Sequence, residues 1–110
     1  MGYRVSPTKD FLNELKPLLK RYPSLRGELE EFGGQLVLEP TKGIGIGKGC
    51  FKVRLAIRSK GKGKSGGARV ITCVVAVREV VYLISIFDKA DKGSITNDRL
   101  KELLSELGLD

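Results

Sequence analysis

Three cations at fixed spacing carry the chemistry this chain has to offer. In the alternating run Cys50 to Ile57, the residues Phe51, Val53, Leu55 and Ile57 take one face. Lys52, Arg54 and Arg58, with Ala56, take the other. Arg69 opens the next apolar run directly after Gly66, Gly67 and Ala68. If the intervening loop closes with odd parity, Arg69 joins Lys52 and Arg54 on one concave cationic face. The loop itself, Ser59 to Gly67, is a tip that adds Lys60, Lys62 and Lys64 among four glycines. Guanidinium and ammonium groups so placed can clamp phosphates and stabilise charge building on a pentavalent phosphorus. A second reading stays open on composition alone. The face would then serve solubility, and Arg69 would be neutralised across a strand pair by Asp88.

The charge balance narrows the partners. Twenty Lys and Arg stand against 13 Asp and Glu, a net charge of +7. A field of that sign favours polyanions: a nucleic acid, an acidic protein or an anionic surface. There is no histidine, which removes the commonest general base near neutral pH and every Ser-His or Cys-His nucleophile. Cys50 and Cys73 both lie inside apolar runs and read as reduced core thiols. No spacing suits a zinc site, and no metal or cofactor is expected. The glycines at 43, 45, 47 and 49 miss the dinucleotide fingerprint because Cys50 follows. A P-loop ending at Gly63, Lys64 and Ser65 would need glycine where Arg58 stands. No run approaches the roughly 20 apolar residues that cross a bilayer, and the opening residues lack a leader-like segment. A soluble, cytoplasmic protein with no membrane partner is expected.

The elements that must position these cations follow in order. Residues 2–6 read as a short strand. Ser6, Pro7 and Thr8 start a helix, with a hydroxyl cap and proline in its first turn. Phe11, Leu12, Leu15, Leu18, Leu19 and Tyr22 recur at helical spacing. Pro17 predicts a kink or a restart there. After the turn at Tyr22, Pro23 and Ser24, Leu25, Leu29, Phe32 and Leu36 mark a second helix ended by Pro40, and the pair forms an antiparallel hairpin. Residues 41–49 read as a flexible connector. Three strands then follow: 50–57, a central strand 68–77, and 80–87. Arg78 and Glu79 would form a two-residue turn, which pairs Val77 with Val80 and Arg69 with Asp88. Thr96 caps a last helix striped by Leu100, Leu103, Leu104 and Leu107. The expected class is α+β: a small, mainly antiparallel sheet with the helical hairpin on one face and a C-terminal helix, in a single domain over residues 1–110.

Several segments together resemble the RelE/ParE toxins of type II toxin–antitoxin systems, in their RelE/HigB-like branch. They are Gly49 to Leu55, Gly61 to Ile71, Val81 to Lys89, Thr8 to Lys16, and Arg21 to Leu25. The resemblance runs from about Tyr3 to Leu107. It implies a microbial-ribonuclease-like fold and a ribosome-dependent mRNA endonuclease. In that reaction the RNA 2′-hydroxyl attacks the adjacent phosphate without a metal, leaving a cyclic phosphate and a free 5′-hydroxyl. It implies a cognate antitoxin, the ribosome and mRNA as partners. Carried over by motif, Lys52, Arg54 and Arg69 are the catalytic candidates. Lys52 is the base if neighbouring cations depress its pKa, and the two arginines hold phosphate. Arg58, Lys60, Lys62 and Lys64 are RNA-binding candidates. Lys89 and Lys92 loosely match a family arginine beyond the last strand. The family's C-terminal tyrosine has no counterpart between Gly93 and Asn97, and the histidine of some HigB members is absent. A ParE-like gyrase poison and a catalytically degenerate antitoxin- or RNA-binding member are the alternatives on the same fold.

Overall fold

The structure is a computed structural model. It describes residues 2–61 and 63–109, and the side chains of Lys64 and Ser65 fall outside it. Thus Lys62 and the Lys64 side chain, both named above as RNA contacts, lie outside the described residues. Five strands, β1 (Arg4–Pro7), β2 (Ile44–Gly47), β3 (Cys50–Leu55), β4 (Ala68–Val75) and β5 (Val80–Asp88), form one sheet in the order β1-β5-β4-β3-β2. Only the β1–β5 pairing is parallel. The helices are α1 (Lys9–Arg21), α2 (Leu25–Leu38), a single turn α3 (Gly63–Gly66) and α4 (Asn97–Glu106).

Alternation along β3 and β4 sorts side chains into two layers, because successive residues point to opposite faces. Val53, Leu55, Val70 and Leu83 face the α1–α2 hairpin and join Phe11, Leu18, Leu25, Phe32 and Leu36 in the larger core. Cys50, Ile71, Cys73, Ile84 and Phe87 face the other way and are covered by Leu100 and Leu104 of α4. The hairpin and α4 therefore sandwich the sheet. Lys52, Arg54 and Arg69 share the α4 face by the same alternation.

Local chemistry explains the helix ends. The Thr8 hydroxyl accepts from the Phe11 amide at 3.2 Å, and the Thr96 side chain likewise accepts from the Arg99 amide. Each cap is worth about 1 kcal/mol. Pro7 is the last residue of β1 rather than the first turn of α1. Pro17 does not interrupt α1, which runs unbroken from Lys9 to Arg21. Asn13, whose carbonyl loses its usual donor, is exposed, as is Pro17 itself, so water can serve that carbonyl.

Two sequence expectations fail in the sheet. Residues 44–47 are an edge strand, not a connector; Ile44 and Ile46 alternate among glycines too freely for the pattern to stand out. The β4–β5 connection is a four-residue loop. It has a 3-10 turn over Ala76–Arg78 and Glu79 in the left-handed region at φ 50, so Val75, not Val77, pairs with Val80. Strand β4 accordingly stops at Val75. A bulge between Ile71 and Thr72 then shifts the register by one residue, placing Ala68 opposite Asp88 and Arg69 opposite Phe87. The expected Arg69–Asp88 pair does not form across the strands.

Candidate nucleic-acid interface

The β3–β4 register sets the geometry of the site. Arg54 lies directly opposite Arg69, and Lys52 lies opposite Ile71, so all three cations project from the α4 face of the sheet. Like charges opposite one another in an antiparallel pair are destabilising. Arg54 is exposed while Arg69 is only 4% exposed, the more anchored of the two. Burial pushes the Arg69 guanidinium down from its ordinary value, and the facing Arg54 charge pushes it the same way. Arg69 stays cationic at neutral pH all the same. The Arg69 Nη1 donates to the Ala68 carbonyl at 3.2 Å, which anchors the guanidinium end of the side chain.

The opposite side of Arg69 brings in β5. Phe87 is its cross-strand neighbour, and the Lys92 ammonium stands 5.0 Å from the Phe87 ring centroid. That contact holds Lys92 against the strand that flanks Arg69. Sequence reasoning named Lys92 without seeing what would hold it; Phe87 in an apolar strand gives no such signal. Lys89 is exposed, and its backbone amide donates to the Gly67 carbonyl at 3.0 Å. Gly67 must be glycine: a Cβ there would sit 2.1 Å from the Leu55 carbonyl oxygen. The strand thus enters Arg69 by a backbone crossing that no larger residue permits.

The segment expected to be a mobile tip is pinned at its root. Strand β3 ends at Leu55, and Arg58, Ser59 and Lys60 form a 3-10 turn folded against the helical hairpin. Glu28 accepts from both the Arg58 amide, at 2.6 Å, and the Arg58 Nε, at 3.2 Å. Arg58 therefore leaves the Lys52–Arg54 face on which strand alternation put it. It meets Arg54 again at the rim of a cleft of about 340 Å³ that Lys42 and Phe32 also line. Ser59 and Ser24 exchange hydrogen bonds, with the Ser59 amide 3.0 Å from the Ser24 hydroxyl.

Lys60 is committed to Asp88. Its ammonium ion-pairs with Oδ1, while Arg21 approaches Oδ2 at 3.0 Å and the Tyr22 hydroxyl donates to the same oxygen. The Ala90 amide completes the set at 2.9 Å. The Lys60 side chain is 11% exposed and that of Asp88 is 0% exposed. Asp88 thus spends its charge on the hairpin face, away from Arg69, and Lys60 is not a free tip cation.

This network makes stability depend on acid. Burial alone would raise the Asp88 carboxyl, but the bonds from Lys60, Tyr22 and the Ala90 amide, with the Lys60 charge, outweigh it and hold the group at about 2. The folded value lies below the ordinary one. The stabilisation is therefore complete above about pH 4 and disappears as pH falls toward 2, for a total of about 2 kcal/mol. Urea titrations between pH 7 and pH 2 should show that loss in the native chain. Asp88→Asn should be less stable at neutral pH and show a shallower acid slope. Parallel slopes for the two proteins would refute the assignment.

Among the described residues no group of three or more His, Cys, Asp or Glu side chains could hold a metal ion. No helix among them is long and apolar enough to cross a membrane. What the arrangement can do chemically is bind an anion with planar forks on a stiff sheet.

A small α+β fold of five strands, helices on both faces and a cationic pair at the β3–β4 root is a defined class. Its relatives appear among solved structures. No protein-family profile matches the chain. The E. coli toxin RelE, carrying two arginine-to-alanine substitutions and in its free state, superposes with a TM-score of 0.61 at 17% identity. That match covers 97% of this chain and 99% of that one. The isolated E. coli RelE toxin in a P21 crystal form gives 0.57 at 18% identity, over 96% and 98%. The chain has the RelE fold.

Proposed function

We propose that this protein is the toxin of a toxin–antitoxin pair, a RelE-like endonuclease that cuts mRNA on the ribosome and is silenced by a cognate antitoxin. The observation that carries the reading is the Arg54–Arg69 pair, two guanidinium groups facing each other across β3 and β4 on one face with Lys52. Two guanidinium groups on one face offer a phosphate paired donors. The fold shared with E. coli RelE supports the same direction.

In this reading the scissile phosphate lies over the arginine pair. Arg69, fixed by the sheet, holds two of its oxygens, and Arg54 meets the charge that grows as the 2′-oxygen adds to phosphorus. Proton transfer falls to Lys52. The chain has no histidine, and no tyrosine lies between Gly93 and Asn97. The 2′-oxygen displaces the 5′-oxygen, which leaves as a hydroxyl once protonated, and a cyclic phosphate remains. Lys89 and Lys92, with Lys62 and Lys64 of the tip, are proposed contacts for flanking phosphates. Lys60 and Arg58 act first as supports of that tip. The antitoxin would supply negative charge to the same face, and the cytoplasm is the proposed site of action.

Expression without antitoxin should arrest bacterial growth, with primer extension showing messages cut inside their translated regions. Intact messages accompanied by gyrase-trapped DNA breaks would replace the nuclease with a gyrase poison. Growth arrest with neither would leave a binding protein without catalysis.

A further inference from the structure

The two cysteines meet on the α4 face, away from the arginine pair. Cys50 lies directly opposite Cys73 in the β3–β4 register. The neighbouring pair is hydrogen-bonded, since the Val74 amide donates to the Gly49 carbonyl at 2.9 Å. Pair types alternate along an antiparallel ladder, so the cysteines occupy the non-bonded kind, in which side chains approach most closely and Cα atoms stand about 4.5 Å apart. Disulfides span Cα separations of about 4.4–6.8 Å.

Both residues are buried, at 1% and 3% exposure, and both thiols are free. Their sulfurs converge on one atom: the Lys48 carbonyl oxygen is 3.7 Å from Cys50 Sγ and 4.0 Å from Cys73 Sγ. The turn that aims this carbonyl is held in the left-handed region at Gly47, Lys48 and Gly49. A cleft of about 480 Å³, lined by Lys48 and by Asp98, Lys101 and Leu104 of α4, opens beside the pair. Leu104 belongs to the same apolar cluster as the two thiols and also lines that cleft.

We propose that Cys50 and Cys73 form a dithiol modification site that a hydroperoxide closes into a disulfide across β3 and β4. The hydrogen bond with Cys73, and then burial, push the Cys50 thiol up, while the bond from Cys50 lowers Cys73. Cys73 is therefore the nucleophile and Cys50 the resolving thiol. The Cys73 thiolate attacks one peroxide oxygen and the O–O bond breaks. Hydroxide leaves and takes up the proton that Cys73 had lost, giving the first water and a sulfenic acid. The Cys50 sulfur then attacks the Cys73 sulfur, the S–O bond breaks, and the second water carries away the Cys50 proton. Two thiols are oxidised by two electrons, and one hydrogen peroxide is reduced to two waters. The bond staples the strand pair that carries Lys52, Arg54 and Arg69, and fixes their register without touching any of them. The site stands independently of the RNA reading.

The experiment exposes the reduced, folded chain to hydrogen peroxide, quenches it, and alkylates remaining thiols under denaturing conditions. The expected product has lost two hydrogens and has no alkylatable thiol. Its peptide map joins Cys50 to Cys73, and dithiothreitol restores the starting mass. The thermal midpoint rises by roughly 10 °C, as expected for closing a loop of this length. Cys50→Ala and Cys73→Ala show no such rise on the same treatment. Two alkylatable thiols after treatment, added oxygen without cross-linking, or a disulfide between two chains would each overturn the proposal. The mass of the native chain decides this even if a variant folds poorly.

Discussion

Arg69→Ala should cut the rate of RNA cleavage by about 10²–10³-fold and so abolish growth arrest, while the protein still folds and binds its antitoxin. The magnitude is that of losing one preorganised donor to developing charge. Arg69 is the member of the cationic set with the stiffest base, near the start of the central strand β4 and 4% exposed. The variant also removes a charge directly opposite Arg54, and the repulsion relieved offsets part of the packing lost. Arg69→Lys keeps the charge without the planar fork and should fall between the two. Asp88→Ala is the informative control. Asp88 lies on the hairpin face with Lys60, Arg21 and Tyr22, so its loss should lower thermal stability and leave the chemistry of surviving folded protein near native. Cleavage of translated message, antitoxin binding and melting are measured on all three. A folded Arg69→Ala protein that cuts at the native rate would remove the arginine pair from the mechanism.

Much of this was legible in the residues, and the failures have physical causes. The helical hairpin declared itself by its helical period and β3 by strict alternation, while β4 and β5, buried on both faces, showed as short continuous apolar runs. The shared face of Lys52, Arg54 and Arg69 hung on the parity of the intervening loop, and the register meets that condition, with Arg54 opposite Arg69. What parity could not supply was the exact partner. A four-residue loop in place of a two-residue turn, followed by one bulge, moved Asp88 from Arg69 to Ala68. Neither feature has a signature here, since Glu79 adopts φ 50 without glycine. The tip was misread for another reason. Arg58, Ser59 and Lys60 look like a solvated basic turn, but each has its partner far off in sequence, in Glu28, Ser24 and Asp88. Lysine is read as exposed by default, and only the fold reveals the buried carboxylate that draws this one in.

That carboxylate makes Lys60 the place where a presumed RNA contact should behave as a structural one. Removing it takes from Asp88 its most enclosed countercharge, for the Lys60 side chain is 11% exposed against 49% for Arg21. Breaking a buried pair costs about 3–5 kcal/mol. Here the Arg21 and Tyr22 contacts and the Ala90 amide remain, so Lys60→Ala should lose about 3 kcal/mol, at the lower end of that range. In a chain of this size the melting midpoint should fall by roughly 10 °C. Lys89→Ala, an exposed change at the residue next to the same carboxylate, should stay within about 0.5 kcal/mol of native. Lys60→Met restores the apolar stem without the charge and separates packing from pairing. Acid supplies the decisive contrast. Once Asp88 is protonated, below a pH of about 2, the countercharge no longer matters, so the gap between native and Lys60→Ala should close as pH falls from 4 toward 2. Equal stability of the Lys60→Ala and Lys89→Ala proteins at neutral pH would return Lys60 to a solvated basic turn and its charge to the RNA. Otherwise, loss of toxicity in any variant that neutralises Lys60 together with Lys62 and Lys64 reports on the fold before it reports on binding.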